Sequence, residues 1–241
     1  MRLFVVQAFT FLFAIRQLVG VLASPINALR ATEIVSADSP ELKERASTYV
    51  VELEQIEQVP DTFAGVKLLP GVFNIPFTNQ QVQEAAKATF DFWDEKQRKL
   101  GRSESSLLVA VIAIPGYGLA AGTIWHGLDE TSFPQRARND APSLWRLLQR
   151  QGRREGTNRS IWHAEIVASW VAERKFPDGK QGSRWPAGTK IAVYGREAVT
   201  STDGTVVKVT GYKSVCEPGA TSNLIPCARL LDAQRIQNVN P

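Results

Sequence analysis

The chain has little of what usually carries chemistry. In 241 residues there are two histidines, His126 and His163, and two cysteines, Cys216 and Cys227. Two cysteines allow one disulfide or one pair of thiolate ligands and nothing more elaborate. Beyond the N-terminal stretch no segment approaches the roughly 20 consecutive apolar residues of a membrane span. There is no internal repeat and no low-complexity tract. A charge excess of one sign is also missing. Without the first 23 residues, which hold Arg2 and Arg16, the 28 basic and 24 acidic residues fall to a balance of about +2, so overall charge selects no class of partner. What remains is an ordinary globular composition, 44% hydrophobic and 22% charged, enough for a core.

At the N-terminus Arg2 precedes the apolar run Leu3 to Ile15, and Val21-Leu22-Ala23 precedes Ser24-Pro25. That order predicts a secretory signal peptide over 1–23, with Arg16 breaking the run that a membrane anchor would need. The expectation is a secreted, extracellular protein with no stable membrane association after cleavage. Residues 24–47, polar and carrying Pro25 and Pro40, are expected to be a flexible leader or pro-segment, and residues 48–241 a single domain. Asn158-Arg159-Ser160 is a glycosylation sequon, expected on the surface of a secreted protein.

Within that domain the run Tyr49 to Val59 fits strand or helix, and Phe63 to Phe77, with Gly65, Pro70, Gly71 and Pro76, predicts a turn-rich connection. Thr78 with Gln81 has capping-box spacing. Val82, Ala85, Ala86, Thr89, Phe90 and Trp93 then predict an amphipathic helix over 79–99, stopped by Gly101. Leu107–Ile114, the turn at Pro115–Gly118 and Leu119–Trp125 make a strand, turn, strand. A short helix is expected over 140–150, with Asn139 or Asp140 as cap and Pro142 in its first turn. After a basic loop comes a helix opening at His163, with Ile166, Val167, Trp170 and Val171 as its apolar face and Phe176-Pro177-Asp178-Gly179 as its end. Strands at Lys190–Gly195 and Thr205–Thr210 and a helix over Pro226–Ile236 complete the pattern.

His163-Ala164-Glu165 places an imidazole and a carboxylate in the first turn of an apolar helix. With the preceding helix and hairpin, the following strand and the Pro226-Cys227 helix start, the stretch Thr78 to Ile236 resembles the zinc-dependent cytidine and nucleobase deaminase superfamily, whose signature is H-x-E followed by P-C-x-x-C. The resemblance implies an α/β fold, a three-layer sandwich with a helix-strand-strand-helix-strand core. Because only five residues follow Ile236, the sheet is expected to be small and mixed, or completed by the pair Lys190–Gly195 and Thr205–Thr210. It implies Zn2+ held by His163, Cys216 and Cys227, with Glu165 as a proton shuttle beside a zinc-bound hydroxide that attacks cytosine or adenine. The family's second cysteine follows the first by three residues. Here that position is Leu230, and the other thiol, Cys216, lies eleven residues before Cys227.

The substrate expected from the resemblance is a nucleoside or single-stranded nucleic acid, and secretion would make the protein an effector or toxin. Trp162 and Tyr117 are candidates to stack on a base, and Arg159, with Arg146, Arg150, Arg153 and Arg154, to hold phosphate. His126 is expected to face solvent. A second reading keeps the fold and removes the chemistry: Cys216 and Cys227 form a disulfide, and the protein is a non-catalytic secreted binder. A third is a zinc hydrolase with the same ligands and another substrate.

Overall fold

A computed structural model describes residues 49–57, 62–69, 76–101, 107–124, 132–150, 163–201, 203–214 and 227–240. All of them fall in one compact unit, Pro40–Pro241. The expected signal peptide and leader, over 1–47, lie outside the described residues. Among the described residues no helix is long and apolar enough to cross a membrane.

The architecture grows from β3 (Leu107–Ile114), whose eight residues are apolar throughout and nearly all buried. A strand with such an unbroken run must be covered on both faces, and two hydrophobic clusters cover it. Ala110, Ile112 and Ile114 belong to one, Val109, Val111 and Ala113 to the other. Each large aliphatic side chain buried this way contributes roughly 1.5–3 kcal/mol. Around β3 stand β4 (Gly118–Thr123) and β5 (Lys190–Thr200). The sheet continues through β2 (Phe63–Leu68) to β1 (Glu54–Gln55) on one side and to β6 (Val206–Tyr212) on the other, in the order β1-β2-β4-β3-β5-β6. These pairings are antiparallel. β7 (Gln237–Asn238) joins β5 in parallel, so the sheet is mixed.

Helix α1 (Asn79–Lys99) covers one face. Its capping box forms as expected, with Gln81 N donating to Thr78 Oγ1 at 3.1 Å and Thr78 N to Gln81 Oε1 at 2.8 Å. The residues it buries, Val82, Ala85, Ala86, Phe90 and Trp93 among them, follow the expected helical spacing. Arg196 of β5 clamps Asp94 with both terminal nitrogens, at 2.8 and 3.3 Å. The other face carries α2 (Ser132–Asp140), α3 (Pro142–Arg150), α4 (Ala164–Lys175) and α5 (Cys227–Ala233).

Three expectations change. Phe63–Leu68 is a strand rather than part of a connection. Gly65 is there for a close approach, since a Cβ on it would stand 2.0 Å from the Glu52 carbonyl oxygen. Ser132–Asp140 is a helix ahead of the one expected from residue 140, and the chain breaks between them at Ala141. The sheet is not small but has seven strands among the described residues, and β5 and β6, the strands expected near Lys190 and Thr205, complete one side of it. Residues after the last helix still reach it because Ile236 N turns back onto the Leu231 carbonyl and β7 then pairs with β5.

Candidate metal centre

Helix α4 is apolar on nearly every side, and all ten residues from Ala164 to Glu173 are buried. Such a helix belongs in a core. It lies directly on β4, where a Cβ on Gly122 would come 2.7 Å from the Ala168 nitrogen. The helix runs antiparallel to that strand. Phe176, just past its C-terminus, meets Tyr117 in the turn before β4, with ring centroids 5.6 Å apart. Its N-terminus therefore stands at the end where β4 finishes.

His163 is the N-cap, and its carbonyl accepts from Ile166 N at 3.0 Å and Val167 N at 3.2 Å. Its side chain makes no capping hydrogen bond. It turns instead to Cys227, the first residue of α5, whose Sγ lies 3.6 Å from His163 Nδ1. Glu165, 5% exposed, completes the group. One ligand atom from each of His163, Glu165 and Cys227 lies within 4.8 Å of the others. His163 and Cys227 are 64 residues apart in sequence, so the fold, not local geometry, brings them together.

This group could hold a metal ion, and the sulfur–nitrogen separation suits two ligands of one ion as well as a hydrogen bond between them. Zinc–sulfur and zinc–nitrogen bonds of about 2.3 and 2.0–2.1 Å, meeting near the tetrahedral angle, place sulfur and nitrogen roughly 3.6 Å apart. The observed separation is 3.6 Å. A thiolate and an imidazole together suit a borderline-soft divalent ion, and the Glu165 carboxylate stands beside them.

A second polar cluster lies further along α4. Glu173 Oε1 accepts from Ser143 N at 2.7 Å and its Oε2 from Leu144 N at 3.1 Å, capping α3 from a neighbouring helix. Lys180 Nζ bonds Glu173 Oε2, and the two side chains are 3% and 7% exposed. It also donates to Gln234 Oε1 at 3.1 Å and stands 4.8 Å from the centre of the Trp185 ring. Burial pulls the Lys180 ammonium below its usual pKa of 10.5, and the charge and hydrogen bond of Glu173 oppose that pull. Gln234 Nε2 reaches Ser169 Oγ and the Leu230 carbonyl, each at 3.4 Å. Nothing in the sequence marked Lys180 or Gln234. The available signal was the four-residue spacing of Glu165, Ser169 and Glu173 on an otherwise apolar helix.

Of the residues expected at the site, His163, Glu165 and Cys227 come together. Tyr117 does not. Its hydroxyl donates to the Asp178 carbonyl at 3.2 Å and its ring packs on Phe176. That puts it at the far end of α4, about 20 Å from His163 at 1.5 Å per residue, too far to stack on a base there. Cys216, Asn158, Arg159, Trp162, His126, Arg153 and Arg154 lie outside the described residues, and with them the expected Cys216–Cys227 disulfide. Arg146 and Arg150 are exposed on α3.

A cleft of about 610 Å³ lies toward the other end of α4, between Trp170, Val171, Arg174 and Lys175 and the strands β1 and β2. It does not include the metal-type cluster. No protein-family model, curated protein or solved structure matches the chain significantly. What the cluster does must follow from its own atoms.

Proposed function

We propose that the chain is a zinc-dependent deaminase acting on cytosine or adenine in a nucleoside or single-stranded nucleic acid, on a deaminase-like three-layer sandwich. One observation carries the reading: the sulfur of Cys227 meets the imidazole of His163 at 3.6 Å, with the Glu165 carboxylate in the same group. His163 and Cys227 are the ligands, and Cys216 is assigned as the third on sequence grounds alone. Zinc, when bound, supplies a Lewis-acidic centre that brings the pKa of water to about 7.

Glu165 is the proton carrier. A buried carboxylate beside the ligands takes a proton from the attacking water at one oxygen and delivers it to the ring nitrogen of the base. It then takes the remaining proton from the newly formed C–OH group and passes it to the amino group, which leaves as ammonia, so water is consumed and the exocyclic amino group becomes a carbonyl. Its place is on α4, two residues after His163, on a helix that packs closely against β4 where Val167 and Ala168 meet Gly122.

Incubating the protein with cytidine, adenosine, single-stranded DNA and single-stranded RNA tests the reading. Ammonia release that disappears in Glu165→Gln is expected. No release from any of the four, or release unaffected by that substitution, overturns it.

A further inference from the structure

Three polar residues on one buried helix need partners, and two of them reach toward the same neighbour. Glu165, Ser169 and Glu173 follow one another at four-residue steps along α4, a nearly straight stripe on a helix of 3.6 residues per turn. Glu165 stands with Cys227 at the start of α5. Ser169, one turn on, meets Gln234, which directly follows α5. Glu173, one turn further, meets Lys180, which also holds Gln234. α5 is thus tied to α4 at two points, at its first residue and, through Gln234, just past its end.

Gln234 is held from every side. Its Oε1 accepts from the Lys180 ammonium, its Nε2 donates to Ser169 Oγ and the Leu230 carbonyl, and its backbone carbonyl accepts from Trp185 N at 2.9 Å. It is fully buried. Between its two ends α5 is fastened by Leu230 and Leu231 in the core. Apolar burial is non-directional and lets a seven-residue helix slide or roll. A saturated polar network permits one register.

We infer that Gln234, with Ser169 and Lys180, is a positioning device that fixes α5 against α4, so that Cys227 is presented to His163 in metal-binding geometry. This rests on the metal reading of the His163, Glu165 and Cys227 group. Neither Gln234 nor Lys180 touches that group. They act through the helix, and Glu173 fixes Lys180 by sharing the same oxygen between the ammonium and the N-terminus of α3.

The test is a Co2+ titration of the full chain, followed by the sulfur-to-cobalt charge-transfer band and the visible d–d bands. Wild type, Gln234→Leu, Lys180→Met and the double variant are compared with Val82→Ala, which weakens the core on the opposite face of the sheet. Gln234→Leu is expected to lower Co2+ affinity about tenfold, the low end for residues that orient ligands from outside the coordination sphere, and to weaken the charge-transfer band. The double variant should lose little more than Gln234→Leu alone, since both act through one network. Val82→Ala should lose thermal stability and keep both affinity and spectrum. Wild-type affinity and spectrum in Gln234→Leu overturn the positioning role and leave the metal reading standing. A wild-type chain that takes up no Co2+, or takes it up equally well as His163→Ala, overturns the metal reading and this inference with it.

Discussion

Glu165 and Glu173 sit two turns apart on the same helix and are equally buried, 5% and 6% exposed. They share a backbone, a depth and a carboxyl group, yet their neighbours differ. Glu173 is committed: two backbone N–H groups and an ammonium hold its oxygens in place, an arrangement that neutralises a carboxylate and ties three segments together. Glu165 shares its corner with a thiol and an imidazole, groups that can hold a metal beside a mobile proton. Burial alone therefore does not mark a functional carboxylate. The chemistry of its neighbours does.

Breaking each half of this comparison should give opposite phenotypes. Glu165→Gln is expected to lower ammonia release by about 10²–10⁴-fold, the range for removing a general acid–base group, with little change in melting temperature or metal content. Glu173→Gln should do the reverse. It leaves Lys180 buried without its counter-charge and weakens the cap on α3, which costs about 3–5 kcal/mol, seen as a lower midpoint in urea. If Glu173→Gln kept full stability while Glu165→Gln unfolded the chain, the assignment of roles would be inverted.

Metal should sharpen the contrast next. An ion that binds only the folded protein at about 100 times its Kd adds roughly 2.7 kcal/mol. Added Zn2+ should thus raise the melting temperature of wild type and of Glu173→Gln, and leave His163→Ala and Cys227→Ala unchanged. Gly122→Ala comes below that. Its methyl group would press on the Ala168 nitrogen at 2.7 Å and lift α4, carrying both glutamates, from β4. Forcing a methyl into a packed contact costs about 1–3 kcal/mol, read by thermal unfolding.

The smallest effect concerns pH. Burial lowers the folded-state pKa of Lys180 below 10.5, so between the lowered value and 10.5 the unfolded chain binds more protons than the folded one. Stability should rise with pH through that window. Lys180→Met should flatten the slope, measured by urea unfolding between neutral and alkaline pH.

How much of this was legible follows the range of the interactions. The capping box at Thr78, the apolar stripe of α1 and the unbroken run of β3 are local, and they stand where spacing put them. His163 and Glu165 were visible because a polar pair at the start of an apolar helix conflicts with its surroundings. That Cys227 joins them came from likeness to a family's motif order, since no spacing rule links residues 64 apart. Gly65 misled because a glycine required by the approach of Glu52 looks, in sequence, like a glycine required by a turn. The helix Ser132–Asp140 was missed for want of pattern, with Phe133 and Ala137 its fully buried apolar pair. Gln234 and Lys180 were beyond sequence reasoning altogether, because Gln234 meets Ser169 and Lys180 only across separations of 65 and 54 residues.

The central claim is that one end of α4 is a metal centre, and elemental analysis combined with a free-thiol count on a single preparation tests it most directly. One equivalent of zinc, lost in Cys227→Ser and in His163→Ala, with both thiols titratable after chelation, is the predicted result. No metal and no titratable thiol in the unreduced protein would show Cys216 and Cys227 joined to each other, and would contradict the account.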